Sequence, residues 1–533
     1  MTPGSVLVAT GIFLSRIAGL VRERAIAAYF GTGLHADVLG AGLRLPNVLQ
    51  NLLGEGTLSA SFIPVYSELL GQGRTRDAGR VAGAMFGLLL GVAGVIALLG
   101  ILFAPLLVSV FLPGFVGQRH ELMVAVVRIM FPMTGVLVLS AWALGILNSH
   151  RHFFLPYFAP VLWNAASIGA LVAFAGRVDL DALLRAAAWG ALAGGFLQFG
   201  IQLPAVLRLD REIRLNRGRD LPAFAEAVRN AGPAILGRGV VQLSSYVDLV
   251  LASLLAIGAV ARLRYAQTLY VLPVSLFGAS VAAAELPELA RERGGSPGAL
   301  RERVVAAVRR VSFFVIPSLV AFILLGDVLV AGIYRAGKFG SADVTVVWIT
   351  LASYSLGLLA STTTRVYQSA FFALHDTRTP ARIAAARVLV SAAAGAILML
   401  QFEPISLGGW SLAAGALRDA SVAGIPLGPV GLALGAAVGA WLEWALLHAS
   451  LVRRIGACGP GAAPLARMFG AALAAAAAGY AVAVAAGSLH ALLAAVLVAG
   501  VFASVYFALA RALGVGDARA VMDAVIRRTN RRA

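Results

Sequence analysis

The sequence predicts an all-α polytopic membrane protein of about fourteen transmembrane helices. Three observations carry that reading. First, 60% of the 533 residues are hydrophobic and only 13% are charged, with mean hydropathy +0.87, whereas soluble domains are about a quarter charged. Second, apolar runs recur from end to end and leave no polar stretch long enough for a soluble domain. Third, arginine is concentrated in alternate connecting segments, as the positive-inside rule requires.

The spans fall at roughly 5–30, 35–71, 79–111, 121–149, 156–176, 181–207, 223–256, 260–290, 303–333, 343–374, 380–402, 428–452, 464–487 and 490–512. With both ends cytoplasmic, the inner loops carry Arg74, Arg76 and Arg80, then Arg151, then Arg208, Arg211, Arg214, Arg217 and Arg219. Later inner segments carry Arg291, Arg293, Arg301 and Arg303, then Arg378 and Arg382, then Arg453, Arg454 and Arg467. The outer loops offer only Arg119, Arg177, Arg335, Lys338 and Arg418. Lys338 is the single lysine, so the net charge of +18 is almost wholly arginine and reads as loop topology rather than nucleic-acid binding. Several spans exceed the roughly 20 residues that cross a bilayer, and Pro46, Pro64, Pro132, Pro233, Pro273, Pro287 and Pro317 are kink candidates. The first apolar stretch runs into Arg16 with no basic segment ahead of it, so no cleavable signal is expected. One cysteine, Cys458, excludes an internal disulfide.

The long basic loop after the sixth span predicts two six-helix lobes around a central cavity, a common transporter plan. The expected divisions are 1–210, 211–455 and 456–533, the last holding two further apolar helices and a basic tail.

Charge inside the spans is the functional signal, because an ionisable residue at bilayer depth is costly and normally faces a bundle interior or watery cavity. It concentrates between Arg16 and Glu68. Arg16, Arg22, Glu23 and Arg24 lie in the first span, Asp37 opens the second, and Arg44, Asn47, Asn51, Glu55 and Ser59 recur at three- and four-residue steps, as one face of a helix would. Gly54 and Gly56 flank Glu55 and allow that helix to bend. Arg238, Asp248, Arg262, Arg264 and Glu285 follow in spans seven and eight, Arg365 and Arg387 in ten and eleven, and Glu443 in twelve. The alternative reading for Arg262 and Arg264 is snorkelling to the interface, for Arg365 and Arg387 an interhelical pair or a position near the inner face, and for Asp248 and Glu443 a structural hydrogen bond or a coupling-ion site. Trp163 and Tyr246 read as packing or interfacial residues. Arginine, a planar and permanently charged fork, suits a phosphate or pyrophosphate better than a proton relay. No P-loop, HExxH, acidic magnesium-binding cluster or nucleophile elbow is present, so no cofactor, metal or enzyme chemistry is expected.

The run SRIAGLVRERAIAAYFGTGLHADVLGAGLRLPN, the segment GEGTLSASFIPVYSE, and the shorter GPAILG, AGKF and HDTRTP resemble the MurJ (MviN) family of lipid II flippases, within the multidrug/oligosaccharidyl-lipid/polysaccharide exporter superfamily. The resemblance implies alternating access that carries a polyprenyl-diphosphate-linked glycopeptide across the bacterial inner membrane, with both termini cytoplasmic. It implies a cationic cavity and a lipid-tail groove at the last two helices. Membrane lipids, and cell-wall synthases, are the partners it suggests; oligomeric state is not specified. Carried over position by position, it implies that Arg16, Arg22, Asp37 and Glu55 match charged positions the family relies on, with Glu23 in place of a typical Asp and Arg44 keeping a basic position. Together with the polar stripe, the expected substrate contacts are Arg16, Arg22, Arg44, Asn47, Gln50, Asn51, Glu55, Arg262 and Arg264, the last two as compensation for an eighth-span arginine, and gating or ion pairing is expected of Glu23, Asp37, Gly54, Gly56 and Asp248. Two positions depart from the pattern: Gln50 and the pair Gln267-Thr268 stand where the family places arginine and Asp-Arg. A relative moving another polyprenyl-linked sugar, a drug or cation exporter, and a scaffold that has lost transport are the competing readings.

Overall fold

The computed structural model describes residues 3–218, 220–279, 281, 285, 297–407, 410–412, 415–487 and 489–516. Pro287 and the basic tail beyond 516 lie outside the described residues. Among the described residues the protein is mostly helical, and ten helices are long and apolar enough to cross a membrane.

Two compact units form, Met1–Ala261 and Arg262–Ala533. The first holds α1 (Pro3–Phe30), α2 (Leu34–Leu53), α3 (Glu55–Gly71), α4 (Thr75–Leu102), α5 (Ala104–Phe111), α6 (Gln118–Ser149), α7 (Phe154–Phe174), α8 (Leu180–Leu209) and α9 (Pro222–Ser253). Helix α6 is the buried centre. Its Trp142 packs with Phe62, Tyr66 and Met85, and the indole nitrogen donates to the Ala82 carbonyl at 3.1 Å. Polar side chains tie helices where no water competes: Gln198 and Gln202 of α8 both donate to Ser140 Oγ of α6, at 3.1 and 2.7 Å. Large apolar side chains such as Leu98, Leu102 and Leu106 stand outward, as a lipid-facing surface demands.

The compact boundary falls after Ala261, not near the expected 210, because the connection from Asp210 to Leu221 is bound back onto the first unit. Tyr66 donates to Asp210 at 2.9 Å, the Asn216 amide donates to the Arg80 carbonyl at 2.8 Å, and Arg80 pairs with Asp220. That hydrogen bond from Arg80 holds the Asp220 carboxyl below the usual carboxylate range. Helix α9 then packs on α3 and α2.

The second unit holds α10 (Ala259–Pro273, beginning at the boundary), a π-helical turn (Val274–Ala279), α11 (Pro297–Leu324), α12 (Gly326–Tyr334), α13 (Ser341–Ser355), α14 (Leu358–Ala373), α15 (Arg378–Phe402), α16 (Gly428–Ile455), α17 (Ala462–Ala485) and α18 (Ala491–Ala512). Between α15 and α16 lie two small antiparallel hairpins, Ile405–Leu407 with Trp410–Leu412 and Ser421–Val422 with Ile425–Pro426. The expected apolar appendage, α17 and α18, packs on α11 and α12, where Tyr506 donates to the Phe313 carbonyl at 2.6 Å.

Of the proline candidates, Pro273 ends α10 where the π-helical turn begins, but most others do not interrupt their helices. Pro64, Pro132, Pro233 and Pro317 sit inside continuous helices. The spans expected at 35–71, 79–111, 303–333 and 343–374 are instead interrupted near Gly54, Phe103, Leu325 and Gly357. Arg119, expected on an outer loop, lies in the first turn of α6 and is buried.

Candidate functional site

In the first unit, the charged cluster resolves into two centres. Asp37, in the first turn of α2, is fully buried. Its carboxylate accepts from Arg119 Nη2 at 2.6 Å, from the Gly258 amide at 2.6 Å and from the Ala261 amide at 2.7 Å. The last two are amide donors at the start of α10, so Asp37 serves that helix as a cap supplied from a distant residue. The Arg119 guanidinium stacks on Phe115, 3.7 Å from the ring centroid. This arrangement orders helices, and an ion pair buried so fully resists exchange with solvent.

The second centre is Arg22. Its Nη2 donates to Glu23 at 2.9 Å and its guanidinium lies 4.4 Å from the Trp163 ring centroid. Trp163 in turn donates to the Ala191 carbonyl at 2.9 Å, which fixes the indole. Trp163 is therefore not mere packing: it is a platform under the arginine, a cation–π contact that adjacency in sequence gives no means of finding. Only 14% of the Arg22 side chain is exposed, whereas Arg16 is exposed and Arg44 half-buried.

The polar stripe from Arg44 to Ser59 does not lie on one helix. Gly54 ends α2 and opens α3, so Arg44 and Gln50 belong to one helix and Ser59 to the next. Gly54 donates to the Gln50 carbonyl at 2.7 Å. A Cβ at Gly54 would overlap that same oxygen, so the break needs glycine. Gly56 follows in the first turn of α3. The side chains of Asn47, Asn51, Glu55 and Arg238 lie outside the described residues. Asp248 sits half-buried on α9.

In the second unit, Arg262 and Arg264 are buried, 6% and 8% exposed, and so do not snorkel to an interface. Arg264 lies 5.4 Å from the Tyr265 ring centroid, beside an aromatic cluster of Tyr265, Tyr334 and Phe339 of the AGKF segment. At the two divergent positions, Gln267 donates to Tyr354 Oη at 2.8 Å and Thr268 donates to the Arg264 carbonyl at 2.9 Å. The HDTRTP segment is a helix cap: Asp376 accepts from the Thr379 amide and hydroxyl at 2.9 and 2.7 Å, and from Arg454 at 2.5 Å. The Thr379 amide, then its hydroxyl, hold the Asp376 carboxyl well below the usual carboxylate range. A cavity of about 830 Å³ opens beside Asp327, Arg335, Thr345 and His490. None of the expected site residues lines it.

The many-helix membrane fold in two compact units is that of a multi-span membrane protein, and the family that the sequence matches is one of transporters. The sequence model of the family described as "Lipid II flippase MurJ" matches residues 26–510, and the chain belongs to that family. It is 33% identical to the lipid II flippase MurJ of Burkholderia cenocepacia over 71% of this chain and 74% of that one. It is 32% identical to a probable lipid II flippase MurJ of Rhizobium tropici, over 83% and 79%. Among solved structures, an inward closed lipid II flippase MurJ superposes with a TM-score of 0.73 at 21% identity, covering 95% of this chain and 98% of that one. An inward-facing multidrug resistance MATE transporter of the MOP superfamily gives 0.65 at 16% identity, covering 83% and 94%. At those identities the likeness is one of fold.

Proposed function

We propose that the protein flips lipid II, the lipid-linked peptidoglycan precursor, from the cytoplasmic to the periplasmic leaflet of the bacterial inner membrane. The family match over residues 26–510 is the observation that carries this reading. No bond is made or broken; the two helical units alternate access to the substrate, as the shared fold with MATE transporters supports. The diphosphate is gripped by Arg22 and Arg16, helped by Arg44, Arg262 and Arg264, with Gln50 and the neighbouring asparagines contributing hydrogen bonds. Arg22 suits that role because the Trp163 face and Glu23 hold its guanidinium in place before the ligand arrives. Glu23 and Glu55 balance the cationic charge, and the break at Gly54 is the hinge. Both termini are cytoplasmic, and cell-wall synthases are the partners that consume the product.

One observation favours a second substrate. Gln267 and Thr268 are engaged within the protein, so the family's arginine at this position is not replaced by a ready anion contact. A relative specialised for another polyprenyl-diphosphate-linked sugar fits that pattern.

Complementation tests both. Cells depleted of their own lipid II flippase receive the protein or an Arg22→Ala variant at equal membrane level. Rescue by the parent and not by Arg22→Ala is expected. Failure of a well-inserted parent to rescue would reject lipid II and direct the assay to other polyprenyl-linked sugars. Rescue by both would reject Arg22 as an anion contact.

A further inference from the structure

Two arginines of the second unit lie outside the set just described, Arg365 on α14 and Arg387 on α15. Arg365 precedes the end of α14 by about 12 Å of helix, and Arg387 follows the start of α15 by about 14 Å. The two helices are joined by the short turn at 374–377, so the two arginines lie at similar distances along their helices from that turn. Ser361, Arg365 and Gln368 follow at four- and three-residue steps on one face of α14, and the Tyr270 hydroxyl is 2.7 Å from Ser361 Oγ.

The charge at this locus does not balance. Arg387 Nη1 donates to Glu443 Oε2 at 2.5 Å, and the Gln368 amide donates to Oε1 at 3.0 Å. Arg365 has no carboxylate partner among the described residues, and from Leu358 to Phe371 it is the one exposed residue, the others being buried or, at Leu359 and Gln368, half-buried. Of the two arginines, only Arg387 is bound to Glu443. An uncompensated arginine within a span calls for an anion or a wet cavity.

The Arg387–Glu443 pair is not needed to hold α15 on α16. Gly431, Gly435 and Gly439 of α16 form a seam at four-residue steps. A Cβ at these glycines would overlap the Met399 backbone, the Gly395 backbone and Ser391, respectively. Backbone contact of this kind binds membrane helices by itself. Glu443 is the next step on the seam, and Arg387 the next step on the facing row. Glu443 is 2% exposed at the side chain, yet Arg387 remains 37% exposed. Of its five donors, one is used on Glu443.

We propose that Arg365 and Arg387 form a second binding station for a diphosphate group, with Glu443 as an internal competing anion. Glu443 holds Arg387 while the station is empty and yields it when a diphosphate arrives; Gln368 then keeps the carboxylate hydrogen-bonded. The Tyr270 and Ser361 hydroxyls supply neutral donors. The station rests on the lipid-linked diphosphate reading above and extends it to the second unit.

The pair's competing roles have opposite signs in one experiment. Full-length protein in detergent is titrated with farnesyl diphosphate, with inorganic pyrophosphate, and with phosphatidylglycerol. Glu443→Gln, which keeps the shape and one acceptor, is expected to tighten farnesyl diphosphate binding by about fivefold to tenfold, because it releases Arg387. Arg365→Gln and Arg387→Gln are each expected to weaken it by about tenfold. The double variant Arg387→Gln/Glu443→Gln, which buries no lone charge and so guards against misfolding, should bind as weakly as Arg387→Gln. A Glu443→Gln variant that is folded but binds no more tightly than the parent would overturn the proposal, as would a response to phosphatidylglycerol alone. Complementation by the parent is scored separately. A parent that fails to rescue while the signs above hold rejects lipid II and keeps the station; rescue with the signs absent rejects the station and keeps lipid II.

Discussion

Replacing Asp37 with asparagine tests the tertiary reading of the first unit most directly. Asp37 accepts three hydrogen bonds, one from Arg119 at 2.6 Å and two from amides at the start of α10. Asparagine keeps the shape but turns one acceptor into a donor and leaves the Arg119 charge buried, where its side chain is 6% exposed. Removing one partner of a buried pair costs about 3–5 kcal/mol. At about 2–4 °C per kcal/mol for a unit of this size, the apparent unfolding midpoint falls by roughly 10 °C. The assay is thermal challenge of the detergent-solubilised protein followed by fluorescence-detected size exclusion. Adding Arg119→Gln to Asp37→Asn removes the stranded charge and should recover part of the loss, so the two changes are non-additive. A shift below about 2 °C, or strict additivity of the two changes, would refute the capping role.

Other expectations follow from the same geometry. Gly54→Ala brings a Cβ onto the Gln50 carbonyl, and should lower stability by about 1–3 kcal/mol, read as a lower midpoint in the same assay, and abolish complementation. Trp163→Leu removes the platform under Arg22, and should weaken diphosphate binding by about twofold to fivefold, whereas Trp163→Phe should retain most of it. Burial pushes the Cys458 thiol up to about 11, so maleimide labelling of the native protein at pH 7–8 should run at least about 100-fold slower than that of a free thiol. Because the shift is upward, the labelling rate should climb about tenfold per pH unit until the pH nears that value; a pH-independent rate would count against it.

How far the site was legible can be seen in individual residues. Arg22, Glu23 and Asp37 stood out because charge in an apolar run is conspicuous wherever the run folds. The interruption of the second span was foreshadowed by Gly54 and Gly56, though as a bend in one helix rather than the junction of two. The sequence reads Trp163 only as a packing or interfacial residue, because its service to Arg22 spans 141 positions and leaves no periodic trace. Arg262 and Arg264 were ambiguous between interface and interior, since their position at the start of a span is compatible with both.

The sequence by itself determined the membrane class, the approximate extent of the apolar helical segments and the presence of charge within them. Those follow from transfer free energies and loop charge, which are properties of each segment taken alone. Only the tertiary structure decided which arginine meets which carboxylate. Asp37 takes Arg119 from 82 positions away, and Glu443 takes Arg387 from 56. The tertiary structure also decided that the connection after α8 belongs to the first unit and that the stripe from Arg44 to Ser59 divides at Gly54. Pairing between helices depends on which faces pack together and at what depth, and the hydropathy of one helix is indifferent to its rotation against the next.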